Sequence, residues 1–183
     1  GAPVNAYVLR NDGRGNFIEQ PDAFPPNKMN ISVAAPNDID GDGDIDLFVG
    51  ARSIPGNYGP APTSYLYIND GKAHFTEANP EYKKDFFNLG IVTDAKWADI
   101  TGDSGLELVI VGEWMSTRIF AVKDKHLEEI VTNLNTMKGW WQTVSIADLD
   151  KDGKNDLILG NVGRNNYLGS GGNLPVKLWI RDF

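Results

Sequence analysis

An aspartate-rich segment occurs three times in this chain, and each copy runs directly into a short apolar stretch. The copies read NDIDGDGDIDLFVG, ADITGDSGLELVIVG and ADLDKDGKNDLILG, with Asp38, Asp99 and Asp148 as their equivalent first aspartates. A unit that recurs along a chain predicts a repeat architecture, in which neighbouring units bury a shared core. This repetition constrains the fold more than any other feature of the sequence.

A second element recurs between the aspartate segments. The stretch VLRNDGRGNFIE from Val8 matches YINDGKAHFTE from Tyr67, with Asn-Asp-Gly in register. Such a turn flanked by alternating apolar residues predicts a β-hairpin. Each repeat then consists of a strand that enters the aspartate loop, an apolar strand that leaves it, and a hairpin. Four strands at this spacing are typical of a β-propeller blade.

The repeats divide the chain unevenly. Residues 1–20 supply only the last hairpin of a blade, residues 31–78 and 90–131 supply whole blades, and residues 139–183 supply an incomplete blade and the start of the next. The final VKLWIRDF is expected to be the strand that enters another loop. We therefore expect an all-β propeller region, an arc of about three to four blades of a larger propeller. The alternative is a small propeller closed by its own ends.

The aspartate spacing in the first and third loops predicts a metal site. In a tightly coiled loop the alternate positions point inward and form a cage of oxygen atoms, which suits Ca²⁺ better than Mg²⁺ or Zn²⁺. The predicted ligands are Asp38, Asp40, Asp42, Asp44 and Asp46, and Asp148, Asp150, Asp152, Lys154 and Asp156. Lys154 would contribute only its main-chain carbonyl.

Two other interpretations of these loops are weaker. An EF-hand requires a bidentate Glu at its twelfth position and flanking helices, but that position is Val49 or Leu159, within apolar β segments. Aspartates that merely form solvated turns do not explain two complete ligand sets. The middle loop, Asp99-Thr101-Asp103-Glu107, has lost an aspartate at Thr101, and whether it binds calcium is left open.

The loops and hairpins resemble FG-GAP/VCBS repeats, the units of integrin α-like propellers. The similarity is carried by DLFVGAR, DLILGNVG and LYINDGKAHFTE, and by the longer segments KWADITGDSGLELVIVGEW and GWWQTVSIADLDKDGKNDLILGNVGRN. The resemblance implies a seven-bladed propeller with calcium in loops between the first two strands of a blade. It also implies a bacterial envelope or secreted protein of the Bacteroidetes type.

Composition excludes several classes of partner. The net charge of −8 argues against binding nucleic acid or an anionic membrane surface. The sequence contains no cysteine and no apolar run long enough to span a bilayer. Calcium loops of modest affinity function at extracellular calcium levels, so we expect an extracellular or cell-envelope location.

Catalytic motifs are not evident, since neither His74 nor His126 has a serine or an acid motif beside it. We expect a non-catalytic module for recognition of a protein or glycan, or for adhesion, with its ligand on the face opposite the aspartate loops. The candidate ligand-binding residues are Arg52, Tyr58, Trp114, Trp140, Trp141, Arg164 and Tyr167. Trp97 and Trp179 are expected in the core.

Two alternative functions remain. The propeller could be a scaffold or accessory part of a larger polysaccharide-active enzyme. It could also be a calcium-dependent enzyme itself, such as a lyase in which calcium positions an acidic sugar.

Overall fold

A computed structural model describes residues 6–82, 89–163 and 177–180. These residues form antiparallel sheets of twelve β-strands, together with a 3-10 helix at Asn133–Thr136. The strands are β1 (Val8–Asn11), β2 (Phe17–Gln20), β3 (Asn30–Asn37), β4 (Asp46–Ser53), β5 (Tyr65–Asn69), β6 (Phe75–Glu77), β7 (Ile91–Ala98), β8 (Glu107–Ser116), β9 (Arg118–Lys123), β10 (His126–Ile130), β11 (Lys138–Ala147) and β12 (Asp156–Asn161).

The Asn-Asp-Gly segments form the predicted hairpin turns. In the β1–β2 hairpin the Asp12 amide donates to the Asn16 carbonyl over 3.0 Å, and in the β5–β6 hairpin the Asp70 amide donates to the His74 carbonyl over 3.1 Å. In each turn the aspartate side chain also accepts from the amide two residues further along the chain. The two turns are therefore built by the same local hydrogen bonds, which is why their sequence predicts them well.

The sheets have the strand order of propeller blades. Strands β3 to β6 form one four-stranded meander, and β7 to β10 form a second. Strands β11 and β12 pair with each other, while the first residues of β11 also pair with the end of β8. In each of these three units the aspartate loop joins the first strand to the second. The prediction of an all-β propeller with four-stranded blades is confirmed, and the sheets formed by the described residues do not close into a ring.

Strand β8 lies between two apolar cores. Leu108 and Ile110 belong to the first core, which also contains Phe48 from β4. Val109 and Val111 point to the other face of the sheet and belong to the second core. Because successive side chains of a strand point to opposite faces, a strand buried on both faces needs a continuous apolar run. The run LVIV in β8 is explained by this position.

The two tryptophans that were predicted to be buried differ. Trp97 packs against the first core, and its indole Nε1 donates to the Ala35 carbonyl over 3.2 Å. Trp179 is 84% exposed, so its predicted core position is wrong. The expected strand is also not formed over residues 177–180, the part of VKLWIRDF that the structure describes. An extended segment joins a sheet only by pairing with a neighbouring strand, and no described strand pairs with this one.

No helix among the described residues has the length and apolar character needed to cross a bilayer.

Candidate functional site

The three aspartate loops are built on one frame of hydrogen bonds. In the first loop, the Asp38 carboxylate accepts from the amides of Gly41 over 2.8 Å and Gly43 over 3.0 Å. The same two bonds occur at equivalent positions of the other loops, from Gly102 and Ser104 to Asp99 and from Lys151 and Gly153 to Asp148. The first aspartate of each loop therefore fixes the coil of the backbone, whatever else it binds.

The last acid of each loop ties the loop to its own beginning. Asp46 is fully buried and accepts from the amides of Ile39 and Asn69, each over 2.9 Å. Burial raises the pKa of Asp46, although the two amide bonds oppose this shift. Glu107 and Asp156 accept the equivalent amide bonds from Ile100 and Leu149. This acid is thus part of the scaffold, and in the first loop it also reaches the end of β5.

Carboxylates gather in the first and third loops. Oxygen atoms of Asp38, Asp40 and Asp42 lie within 4.8 Å of one another, as do those of Asp148, Asp150 and Asp156. Ionised carboxylates this close repel one another unless a cation or water compensates. The donor set consists only of carboxylate oxygen atoms, on residues that are partly or fully exposed, which fits Ca²⁺.

The other predicted ligands lie outside these two groups. Asp46 serves the scaffold, and Asp44 donates its amide to Asp42 over 2.9 Å. In the third loop the Lys154 ammonium lies 3.3 Å from a carboxylate oxygen of Asp152 and neutralises part of its charge. The ligand roles of these four residues stay predictions.

The middle loop keeps the frame of hydrogen bonds but does not bring three carboxylates together. Residues 99–107 are all described, and no group of three carboxylates comes together there. Thr101 stands where the first loop has Asp40, and it donates from its amide and its hydroxyl to Glu107 over 3.2 and 3.4 Å. The longer Glu107 side chain is therefore occupied within the loop.

A second group of polar and aromatic side chains lies at the opposite end of the strands, and we call it the rim cluster. Its members are Arg52, Tyr58, Glu113, Trp114, Trp140 and Gln142. Strand β4 starts at the aspartate loop and reaches Arg52 near its other end, about 20 Å away at the rise of a β-strand. The cluster and the aspartate loops therefore occupy opposite edges of the sheets.

The centre of the rim cluster is the Glu113 carboxylate, which is 3% exposed. It accepts from Arg52 Nη2 over 2.7 Å, from Tyr58 Oη over 2.6 Å and from Gln142 Nε2 over 3.2 Å. Burial opposes the ionisation of Glu113, but these hydrogen bonds and the charge of Arg52 hold its pKa below its usual value. One buried carboxylate thus connects the β3–β6 sheet, the β7–β10 sheet and strand β11.

Two indole rings lie beside this carboxylate. Trp114 donates from Nε1 to Tyr58 Oη over 3.0 Å, and its ring centroid is 4.9 Å from that of Trp140. The Nε1 atom of Trp140 is buried and has no partner at hydrogen-bond distance and angle among the described residues. The Trp140 indole nevertheless helps to lower the pKa of Glu113. Four of the predicted ligand-binding residues therefore meet in one place.

The structure describes one of the three remaining predicted ligand-binding residues, and that residue lies outside the cluster. Trp141 packs against the second core. Arg164 and Tyr167 lie outside the described residues. Glu113 and Gln142 were missed by the sequence analysis. The charge of Glu113 directly after an apolar run of β8 was a signal that could have identified it.

Comparison with known proteins supports the repeat assignment. A comparison with curated proteins finds no match. Residues 38–110 match the family described as FG-GAP-like repeat, a range that begins at the first aspartate of the first loop and ends within β8. The resemblance to FG-GAP repeats is confirmed over this range, and repeats of this family are typical of extracellular β-propeller recognition modules. The chain contains an FG-GAP-like repeat.

Proposed function

We propose that this chain is part of a calcium-binding, extracellular β-propeller that recognises a protein or glycan and does not catalyse a reaction. The observation that carries the proposal is the pair of carboxylate clusters, Asp38-Asp40-Asp42 and Asp148-Asp150-Asp156, at equivalent places in two blades. The FG-GAP-like repeat over residues 38–110, which includes the first of these clusters, also supports it.

Calcium would act on stability in this protein. Each cluster lies on a turn between two strands, so an ion bound there would relieve the carboxylate repulsion and hold the turn in its folded geometry. A ligand that binds only the folded state stabilises that state by mass action. Sites of this open kind fill at extracellular calcium levels of about 10⁻⁴ to 10⁻³ M, which favours an exported protein.

The acids of this chain are poorly suited to proton transfer. Glu113 is buried, ionised and hydrogen-bonded to three side chains, and carboxylates that hold a cation stay ionised. His74 lies 3.4 Å from Asp70 in a hairpin turn, and His126 contacts the Asp124 carbonyl at 3.4 Å. Recognition is therefore the function that these contacts support best.

Thermal unfolding in EDTA and in millimolar calcium tests the proposal. We expect calcium to raise the melting temperature of the chain and the double substitution Asp40→Asn with Asp150→Asn to remove most of that rise. Asp103→Asn is the matched control, because Asp103 occupies the middle loop, where no cluster forms. Equal melting temperatures with and without calcium would overturn the proposal.

A further inference from the structure

Two aromatic rings of the rim cluster, the exposed Tyr58 and the partly buried Trp114, are held in fixed orientations. A chain of hydrogen bonds runs from Trp114 Nε1 to Tyr58 Oη and on to the buried Glu113 carboxylate. Tyr58 nevertheless remains 53% exposed. The polar atoms of these two side chains already have partners, so the rings are left to offer mainly their apolar faces. Rigid, pre-oriented rings lose little entropy when a ligand stacks on them.

The backbone of Trp114 points to the same conclusion. Its φ is +63°, in the left-handed region that a bulky residue rarely adopts. Such strain costs free energy and persists only where surrounding contacts fix it, commonly at ligand sites. The Tyr58 bond and the Trp140 ring fix the indole here. Trp114 stays only partly buried, so part of the indole remains accessible to a ligand.

The charges of the cluster are balanced within it. The Arg52 guanidinium is matched by the Glu113 carboxylate at 2.7 Å, and the carboxylate itself is buried. The Arg52 side chain remains 52% exposed beside the rings, where it can donate hydrogen bonds to a ligand. The surface thus combines apolar ring faces with nearby N–H donors and no exposed carboxylate of its own.

From these contacts we infer that the rim cluster binds a neutral oligosaccharide, with a sugar ring against Trp114 and Tyr58 and its hydroxyl groups at Arg52. This inference rests on the proposed recognition function and names its ligand class. A sugar ring uses both features, because it has an apolar C–H face and hydroxyl groups at its edge. An apolar peptide side chain would leave Arg52 unused. An acidic sugar gains less here, because Glu113 already balances Arg52 and the whole chain carries −8.

Affinity electrophoresis in gels that contain soluble polysaccharides tests the inference, with calcium present. The neutral panel is a β-glucan, a mannan, a xylan and a galactan, and the acidic panel is polygalacturonate and alginate. We expect retardation by at least one neutral polysaccharide and none by the acidic pair. The substitution Trp114→Gly should weaken that retardation about tenfold or more, since it removes one of the two stacking rings and the group that orients the other.

The variants separate binding from folding. Glycine accepts the positive φ of position 114, so Trp114→Gly relieves backbone strain there while it removes the ring. Tyr58→Phe keeps a ring but removes the hydroxyl that orients Trp114, and we expect a smaller loss of binding. Tyr7→Ala is the matched control, because Tyr7 is an aromatic residue 65% exposed before the first hairpin, and this variant should bind as the wild type does.

Two readouts distinguish this inference from the proposed function. If calcium raises the melting temperature but no neutral polysaccharide binds, or only an acidic polysaccharide or a protein binds, the inference is overturned and the calcium module stands. Unchanged binding by the Trp114→Gly variant also overturns the inference. If calcium has no effect on melting, the proposed calcium module fails regardless of what the sugars do.

Discussion

The first and middle aspartate loops have nearly the same backbone but different charge. Asp38 and Asp99 each accept two amide bonds at the same offsets, and Asp46 and Glu107 each close the loop onto its start. Only the first loop brings three carboxylates together. Hydrogen bonds that shape a loop and carboxylates that attract a cation are therefore separable properties of this motif, and a loop can lose the second while it keeps the first.

The largest expected effect comes from the acid that closes the loop. Asp46→Ala removes the acceptor for the Ile39 and Asn69 amides. We expect it to lower the free energy of unfolding by about 3 kcal/mol, because buried amides without partners are costly. Urea denaturation in EDTA measures this loss. Glu107→Ala should behave similarly in the middle loop. A loss that appears only when calcium is present would show that Asp46 is a ligand and not part of the scaffold.

Replacing one residue of the first loop by its counterpart in the middle loop should remove the stabilisation of the first loop by calcium. Asp40→Thr gives the first loop the residue of the middle loop, and we expect it to remove the calcium stabilisation of that loop. The stabilisation lost is about 1.4 kcal/mol at 1 mM calcium for a dissociation constant of about 0.1 mM. Calorimetric titration with calcium measures the number of sites.

The reverse exchange sharpens the same comparison. Thr101→Asp with Ser104→Gly gives the middle loop an additional carboxylate and a glycine at the position of Gly43, where Ser104 has a positive φ. We expect one more calcium ion to bind per chain. If the titration shows no additional site, adding Glu107→Asp tests whether the longer acid, which accepts the Ile100 and Thr101 amides, prevents binding.

The ion pair between Arg118 and Glu129 lies away from all three loops, and it provides a reference for how the stability of the fold depends on pH. Hydrogen bonds from Arg118 lower the pKa of Glu129, although burial opposes them. Since the folded pKa lies below the unfolded one, the pair stabilises the fold above the unfolded pKa, and this contribution is lost as pH falls through the folded pKa.

Glu129→Gln should therefore cost about 1 kcal/mol at neutral pH and little in acid. Urea denaturation in EDTA between neutral and acidic pH checks this difference, free of any effect of bound calcium. A difference that stays constant with pH would mean that the ionisation of Glu129 contributes nothing to stability.

The smallest effects concern backbone strain in the loops. Lys151 has a φ of +65° where the first loop has Gly41, and Ser104 has a φ of +70° where it has Gly43. Replacing either by glycine should raise the free energy of unfolding by about 0.5 kcal/mol, because relief of strain exceeds the added entropy of the unfolded chain. Thermal unfolding measures the gain, with Gly43→Ala as the opposite control. A decrease in stability would show that these side chains make contacts worth more than the strain.

The sequence predicted those parts that depend on local contacts. Aspartate and glycine at fixed spacing specify turns through bonds between residues that are close along the chain. The Asn-Asp-Gly hairpins and the coil of the aspartate loops were therefore predictable. Apolar runs bounded by these turns then predicted the strands.

The rim cluster was predicted only in part, because its contacts are long range. The sequence singled out Arg52, Tyr58 and Trp114 because they are arginine and aromatic residues in loops or at strand ends, where binding surfaces are common. Glu113 did not, since its role depends on partners from three different parts of the chain. The exposure of Trp179 was unpredictable for the same reason, since burial requires a neighbour that the residue itself does not specify.

Strand β8 limits where this chain can be cut. Its alternate side chains belong to two different cores, so neither the β3–β6 sheet nor strand β11 can detach without exposing apolar surface on β8. Repeat proteins gain their cooperativity from such shared interfaces. We expect the amide hydrogens of Leu108 to Val111 to exchange most slowly with solvent, and a fragment that ends before β8 to lose the ordered structure of the blade that precedes it.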